Sequence, residues 1–349
     1  MAADKKTSNN ALMMTLLKGR TFIVLIVLLI FFSITANNFL TVGSLLTVAK
    51  HVALYGILAI GMTYVIITGG IDLSVGSVAG LAGMIAGGLI QEGLTLKFAG
   101  VTVYFSVPLV VLITILMGAL VGALNGVVIT KFNVAPFIAT LGSMYICRGL
   151  ANIRSNGATF SELAGHEGLG NTGFEFFWKK LYGNHDSCRC YHSCYCSCDR
   201  RTDPEENTFR MACAGNRRNE RLPSFGIKVD RVKIWVYAFS GLCSAIVGII
   251  ATSQLVSATP KTGESWEMNA IAASVLGGTS MAGGVGSIGG TIVGAFVIGV
   301  INDGMTMCGV TEFWQKIIRG LVIIVAVIID QFQRNLQAKM ALQARNENK

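Results

Sequence analysis

The sequence predicts an all-α, polytopic membrane protein: a bundle of apolar helices with two broken or re-entrant segments. Three observations predict it. Of 349 residues, 52% are apolar and only 13% are charged, with a mean hydropathy of +0.59; a soluble domain carries about 25% charged residues. The apolar residues fall into blocks near the roughly 20 residues that a helical span requires. Glycine is abundant at 41 residues and proline scarce at 5, a balance that weakens helices in water but lets them approach closely in lipid.

In chain order the blocks are 21–39, 45–67, 75–91, 102–124, 134–150, 234–255, 269–283, 287–306 and 315–332. The first is preceded by Lys5, Lys6, Lys18 and Arg20. It ends in Ser-Ile-Thr-Ala-Asn-Asn with no small-x-small cleavage site, so it reads as a retained span and not as a signal peptide. Gly118, Gly122 and Gly126 stand four apart at the end of the fourth block, and so do Gly286, Gly290 and Gly294 at the start of the eighth. This is the spacing of closely packed membrane helices. Arg334, Lys339, Arg345 and Lys349 follow the last block. By the positive-inside rule both termini are cytoplasmic, and an intact version has an even number of spans. The net charge of +9 is explained by these flanks. No basic stripe interleaves with aromatics, so nucleic acid is not a partner; lipid is.

Two glycine-broken segments interrupt the blocks: TGGIDLSVGS (68–77) and LGGTSMAGGVGSIGG (276–290). Each precedes a similar phrase, GALVGALNG (118–126) and GAFVIGVINDG (294–304). Paired broken helices in two halves mark a substrate path in transporters; the competing reading is two tight polar turns. Asp72 sharpens the first segment, because a carboxylate between spans faces a cavity or a partner. It also suits a helix N-cap ahead of Leu-Ser-Val-Gly. The substrate-path candidates are Asp72, Ser74, Ser77, Asn125, Thr279, Ser280 and Asn302.

Several activities are excluded. Gly284-Val-Gly286-Ser-Ile-Gly289 fits the dinucleotide fingerprint but lacks its preceding strand and its downstream acidic residue. No P-loop occurs, so this chain does not itself hold ATP in that way. His51 and His166 have no evident catalytic partners. The expectation is a non-enzyme without cofactors.

TGGIDLSVGS, NVAPFIATLGSMYICRGL (133–150), AIAASVLGGTSMAGGVGSIGGTIVGA (270–295) and FWQKIIRGLVIIVAVIID (313–330) resemble the permease subunits of the ribose, xylose and galactose ABC importers of bacteria. The resemblance covers about 21–177 and 226–335. It implies a family fold of about ten spans in the plasma (inner) membrane, working with a second permease copy, identical or not. It also implies a cytoplasmic ABC ATPase and an extracytoplasmic sugar-binding protein as partners. Specificity in such importers resides largely in the binding protein, and no sugar code is legible here.

Residues 178–225 break the pattern. They hold six of nine cysteines (Cys188, Cys190, Cys194, Cys196, Cys198 and Cys213), two of four histidines and no span. One reading is a metal-binding or sensor protein that uses Cys188, Cys190, Cys194, Cys196, Cys198, His185 and His192. The C-x-C spacing suits a tetrahedral zinc site poorly. The other reading is a shifted reading frame. Every residue of 185–199 has a codon ending in T or C, and a one-base shift can turn the stretch into Met-Ile-Leu-Val-Ala-Val-Ile-Ile-Leu-Ala-Ile-Val-Leu-Ala, a helix core. The same shift gives Gly-Lys at 178–179 and Phe-Gly-Trp-His-Val at 209–213, which resembles the opening of the family's cytoplasmic loop. Family text resumes near Gly226. The resemblance places the ATPase-coupling stretch within 206–226, where this chain reads NRRNERLPSF (216–225), with Pro223 opposing a helix.

The expected organisation is a cytoplasmic tail (1–20), an N-terminal transmembrane half (21–177), the aberrant segment (178–225), a C-terminal half (226–333) and a cytoplasmic tail (334–349). One span is lost within 178–225. That segment has nine Lys/Arg and six Asp/Glu, too polar to offset ordering entropy of about 1–2 kcal/mol per residue.

Overall fold

A computed structural model of the chain describes residues 21–96, 100–165, 170–174 and 228–347. The segment 178–225, with its cysteine tract, metal-ligand candidates and coupling loop, lies outside the described residues, as do His166 and the N-terminal tail.

Helices dominate. In chain order they are α1 (Thr21–Thr35), α2 (Val42–Ile67), α3 (Val75–Gln91), α4 (Val107–Lys131), α5 (Pro136–Ser155), α6 (Val229–Leu255), α7 (Trp266–Leu276), α8 (Ile288–Met307) and α9 (Glu312–Glu347). Four of them, α2, α4, α6 and α8, are long and apolar enough to cross a membrane; α1 and α3 are shorter apolar helices. This is the architecture of a polytopic helical membrane protein.

Several predicted blocks differ in their limits, the last one most, since 315–332 lies within the longer helix Glu312–Glu347; two of the differences have a local cause. The block at 102–124 begins later and ends at Lys131, because Val101–Val103 pairs antiparallel with Leu94–Leu96 in a small hairpin, Leu94 opposite Val103. Val101-Thr-Val103 is β-branched throughout, and Pro108 sits in the first turn of α4, where a missing N–H costs nothing. The block at 269–283 is helical only from Trp266 to Leu276. Gly277 and Gly278 end it, with Gly278 at φ +91°, a conformation that favours glycine.

The described residues form two compact units, each drawn from separate stretches of sequence. The first contains α1, α2 as far as Ala59, α7 from Asn269, α8 and α9. Its core joins Phe32 and Phe39 to Val52, Ala273, Ala295, Ile298 and Ile301. The second contains Ile60 onward through α6 to Met268, with Ala282–Gly284. Its main core joins Met84, Ile90, Val110, Cys147, Leu163, Phe174 and Ile249.

Glycine spacing explains the packing of α4 on α6 in the second unit. A Cβ built on Gly118 would meet the Gly241 carbonyl oxygen at 2.6 Å, and one on Gly126 would meet the Ile234 Cα at 2.6 Å; on Gly122 it would strike the Tyr237 carbonyl oxygen. The three glycines are therefore a continuous contact strip. The opposite face of α4 presents Leu112, Leu116, Leu120 and Leu124, each more than half exposed. Leucines repeating every fourth residue, bare in a folded chain, form an apolar stripe of the kind a membrane helix turns to lipid or to another helix.

Candidate functional site

The first broken segment is built by its own glycines. Gly69, at φ +80°, and Gly70 donate their amides to Ile66 O and Val65 O, closing the end of α2. The chain then runs unwound to Ser74, where α3 begins. In lipid such a break persists only if its freed polar groups find partners within the protein.

Here they do. Asp72 Oδ1 accepts from the Ser74 amide at 3.0 Å and from Ser74 Oγ at 2.6 Å, and Asp72 Oδ2 accepts from Ser240 Oγ of α6 at 2.8 Å. Ser74 Oγ in turn accepts from Asn125 Nδ2 of α4 at 3.1 Å, and Ser143 Oγ of α5 donates to Asn125 Oδ1. Thr140 Oγ1 of α5 donates to Ile71 O at 3.1 Å, and Ser77 Oγ donates to Ser74 O at 2.8 Å. Asp72, Ser74, Ser77 and Ser240 are each 1% exposed and Asn125 3%. One chain of hydrogen bonds thus ties the break to α4, α5 and α6 within the second unit.

Four sequence-predicted residues, Asp72, Ser74, Ser77 and Asn125, are brought together. Ser240, Ser143 and Thr140 escaped sequence reasoning, because a serine or threonine in an apolar helix gives no signal without its distant partner. One expectation needs correction. Asp72 is not the N-cap of α3: Ser74 holds that position, without a side-chain cap bond. Asp72 instead bonds the amide two residues ahead, an Asx turn immediately before the helix.

The second broken segment belongs mainly to the first unit. The amides of Gly277, Gly278 and Thr279 bond back to Ala273, Val275 and Ser274 carbonyls, and the Ser280 amide bonds to Val285 O at 2.9 Å. Thr279 is fully buried, and its hydroxyl has no hydrogen-bond partner among the described residues; Ser280 is 6% exposed. Gly290 and Gly294 of α8 sit against Gly277 O and Ala273 O, leaving no room for a Cβ. Within that unit Ser274 Oγ bonds to Ala59 O of α2 at 3.1 Å. Asn302, 8% exposed, lies on α8 beside Asp303.

The structure also gives His51 a carboxylate partner that the sequence does not make evident. Its Nδ1 lies 2.7 Å from Asp303 Oδ1, joining α2 to α8 in the first unit. The two are 252 positions apart, so no local pattern could announce the pair.

Residues 44–177 and 211–327 match the family described as the branched-chain amino acid transport system / permease component. Among curated proteins, the chain is similar to the ribose import permease protein of Bacillus subtilis (strain 168), 37% identical over 327 residues, covering 89% of this chain and 91% of that protein. The L-arabinose ABC transporter permease protein of Azospirillum brasilense is 32% identical over 333 residues, with 93% and 91% covered. The galactose/methyl galactoside import permease protein of Escherichia coli (strain K12) is 32% identical over 336 residues, with 93% and 97% covered. No solved structure matches. With well over half of its length matched and its relatives spanned nearly end to end, the chain belongs to this family of transport-system permease components.

Proposed function

We propose that the chain is the transmembrane permease subunit of a bacterial ABC importer for a monosaccharide of the ribose, arabinose, xylose or galactose kind. One observation carries the reading: the relatives named as import permeases for such sugars align over about nine-tenths of this chain and of their own lengths. The permease does no chemistry itself. A separate cytoplasmic ATPase supplies the energy, an extracytoplasmic binding protein delivers the sugar, and a second permease copy completes the passage. The chain sits in the plasma membrane with both termini cytoplasmic, its halves 21–177 and 226–333 flanked by the two tails.

The two broken segments line the passage. Thr279, Ser280 and Asn302 contribute from the second half. Asp72, Ser74, Ser77 and Asn125 belong to the first break as its supporting network, holding its backbone open rather than bonding sugar themselves; their hydrogen bonds to one another and to Ser240 and Ser143 support that division.

The chain as written is impaired, because 178–225 replaces a span and the coupling stretch within 206–226. The family match breaks off after residue 177 and resumes at 211, which supports a lesion at the lost span; residues 211–225 fall within the match. Losing one span forces either a basic terminus across the bilayer or an apolar block out of it, and each basic residue at a helix centre costs about 2.5–3.5 kcal/mol on insertion scales. The experiment is uptake of radiolabelled ribose, arabinose and galactose by cells carrying the cognate ATPase and binding protein. They express either this chain or its frame-restored version. Uptake is expected from the restored version alone. Equal uptake by both refutes the lesion, and uptake by neither, with both subunits assembled in the membrane, refutes the sugar reading.

A further inference from the structure

A cavity of about 220 Å³ opens in the second unit, beside the first helix break. It is lined by Thr68 and Gly70 of the break, Ile129 near the end of α4, Pro136 at the start of α5, and Lys233 and Tyr237 of α6. The volume equals that of roughly seven liquid waters, room for one monosaccharide ring and too small for a disaccharide. Tyr237 is 1% exposed, and its hydroxyl has no hydrogen-bond partner among the described residues. It packs so close to Gly70 that a Cβ there would collide with it. An unsatisfied hydroxyl costs about 1–3 kcal/mol when buried, and hydrocarbon offers nothing to repair it.

The ends of α4 and α6 that flank the cavity carry Lys131, Lys228, Arg231 and Lys233, against Asp230. By the positive-inside rule such a concentration marks the cytoplasmic side. The cavity is therefore on the side where an importer releases its cargo.

We propose that this cavity is a cytoplasmic-side subsite for a neutral monosaccharide, occupied as the sugar leaves the permease. The proposal rests on the sugar-importer reading and adds a location and a recognition chemistry to it. A sugar hydroxyl both donates and accepts, so it satisfies the Tyr237 hydroxyl in either sense and also accepts from the Lys233 ammonium. Ile129 and Pro136 offer an apolar wall to the C–H face of the ring. Few polar groups set in a mostly apolar wall is the usual make-up of a small-molecule site.

The test follows acylation of Lys233 in the full-length, frame-restored chain, in membranes, by a water-soluble N-hydroxysuccinimide ester, read by peptide mass spectrometry. Lys131 and Lys228 serve as internal references. D-ribose, L-arabinose or D-galactose should slow Lys233 labelling about threefold at twice its dissociation constant, since protection scales as one plus the ratio of ligand to that constant. Tyr237→Phe, which keeps the ring and its packing, should abolish the protection while leaving the sugar-free labelling rate unchanged; Thr68→Val should weaken it. Absence of protection by all three sugars overturns the subsite, as does equal protection in Tyr237→Phe. If the frame-restored chain still imports one of them, the sugar-importer reading stands while the subsite falls. If L-leucine alone protects Lys233 and is imported, both fall together.

Discussion

Asp72→Ala is the sharpest perturbation available, because it removes the one carboxylate on which the first break converges. Asp72 accepts three hydrogen bonds, from the Ser74 amide, Ser74 Oγ and Ser240 Oγ. Two of the donors are hydroxyls that can rotate toward nearby carbonyls, as Ser244 Oγ does toward Ser240 O at 2.8 Å. The Ser74 amide is fixed by the backbone and cannot. Leaving one buried donor unsatisfied costs about 1–3 kcal/mol. The void left by the carboxylate adds to it, so the loss should be about 2–4 kcal/mol. Removing the charge works the other way, since an ionised group buried in a membrane protein is itself expensive. Asp72→Asn keeps one acceptor oxygen for Ser74 and sheds the charge, so it should lose less than about 1.5 kcal/mol. The assay is thermal unfolding of the purified frame-restored permease in nanodiscs, paired with sugar uptake. Alanine should lower the melting temperature and uptake, and asparagine should spare most of both. The reasoning is refuted if the alanine variant melts with the wild type, or if asparagine is as damaging as alanine.

Other expectations are independent of that network. Gly122→Leu should drive α4 off α6, because its Cβ would land on the Tyr237 carbonyl oxygen. Overpacking costs about 1–3 kcal/mol or more, seen as loss of the monodisperse peak in size-exclusion chromatography. Leu116→Ala, on the exposed face of the same helix, should change stability by about 0.5 kcal/mol or less. His51→Ala should destabilise by about 1–2 kcal/mol, a value discounted because the His51 side chain is 37% exposed while Asp303 is 10%. A second change, Asp303→Asn, should recover part of that loss in the melting temperature. A double variant no more stable than His51→Ala would show that the pair is incidental.

Legibility followed range. Helix blocks, breaks and glycine strips are local, and a hydropathy window or a four-residue spacing exposes them. The strip at Gly118, Gly122 and Gly126 was legible as a packing face because the period itself carries the information, although its partner, α6, was not. The limits of α4 were misjudged because hydropathy does not distinguish Val101–Val103 in a strand from the same residues in a helix; Pro108 was the available signal. The polar partners were beyond reach for another reason. Ser240 lies 168 positions from Asp72 and His51 lies 252 from Asp303. Only packing brings them together, and neither serine nor histidine has a period to betray its target.

The satisfied state of the Asp72 network bears on how a broken helix can serve a transporter. A break that lines a passage must expose backbone or hydroxyls to the cargo, yet it must not collapse into a helix when the passage is empty. These demands conflict if the same side chains meet both. In this chain they are divided. Asp72, Ser74 and Asn125 spend their hydrogen bonds on one another and on α4, α5 and α6, which fixes the unwound backbone. Thr68 and Gly70, at the start of the same break, line the cavity instead. Gly70 can lie there only because it lacks a Cβ, since one would collide with the Tyr237 hydroxyl. The carboxylate that drew attention in the sequence is thus the scaffold of the break, and the uncharged residues beside it line the cavity that the proposed subsite assigns to a neutral sugar.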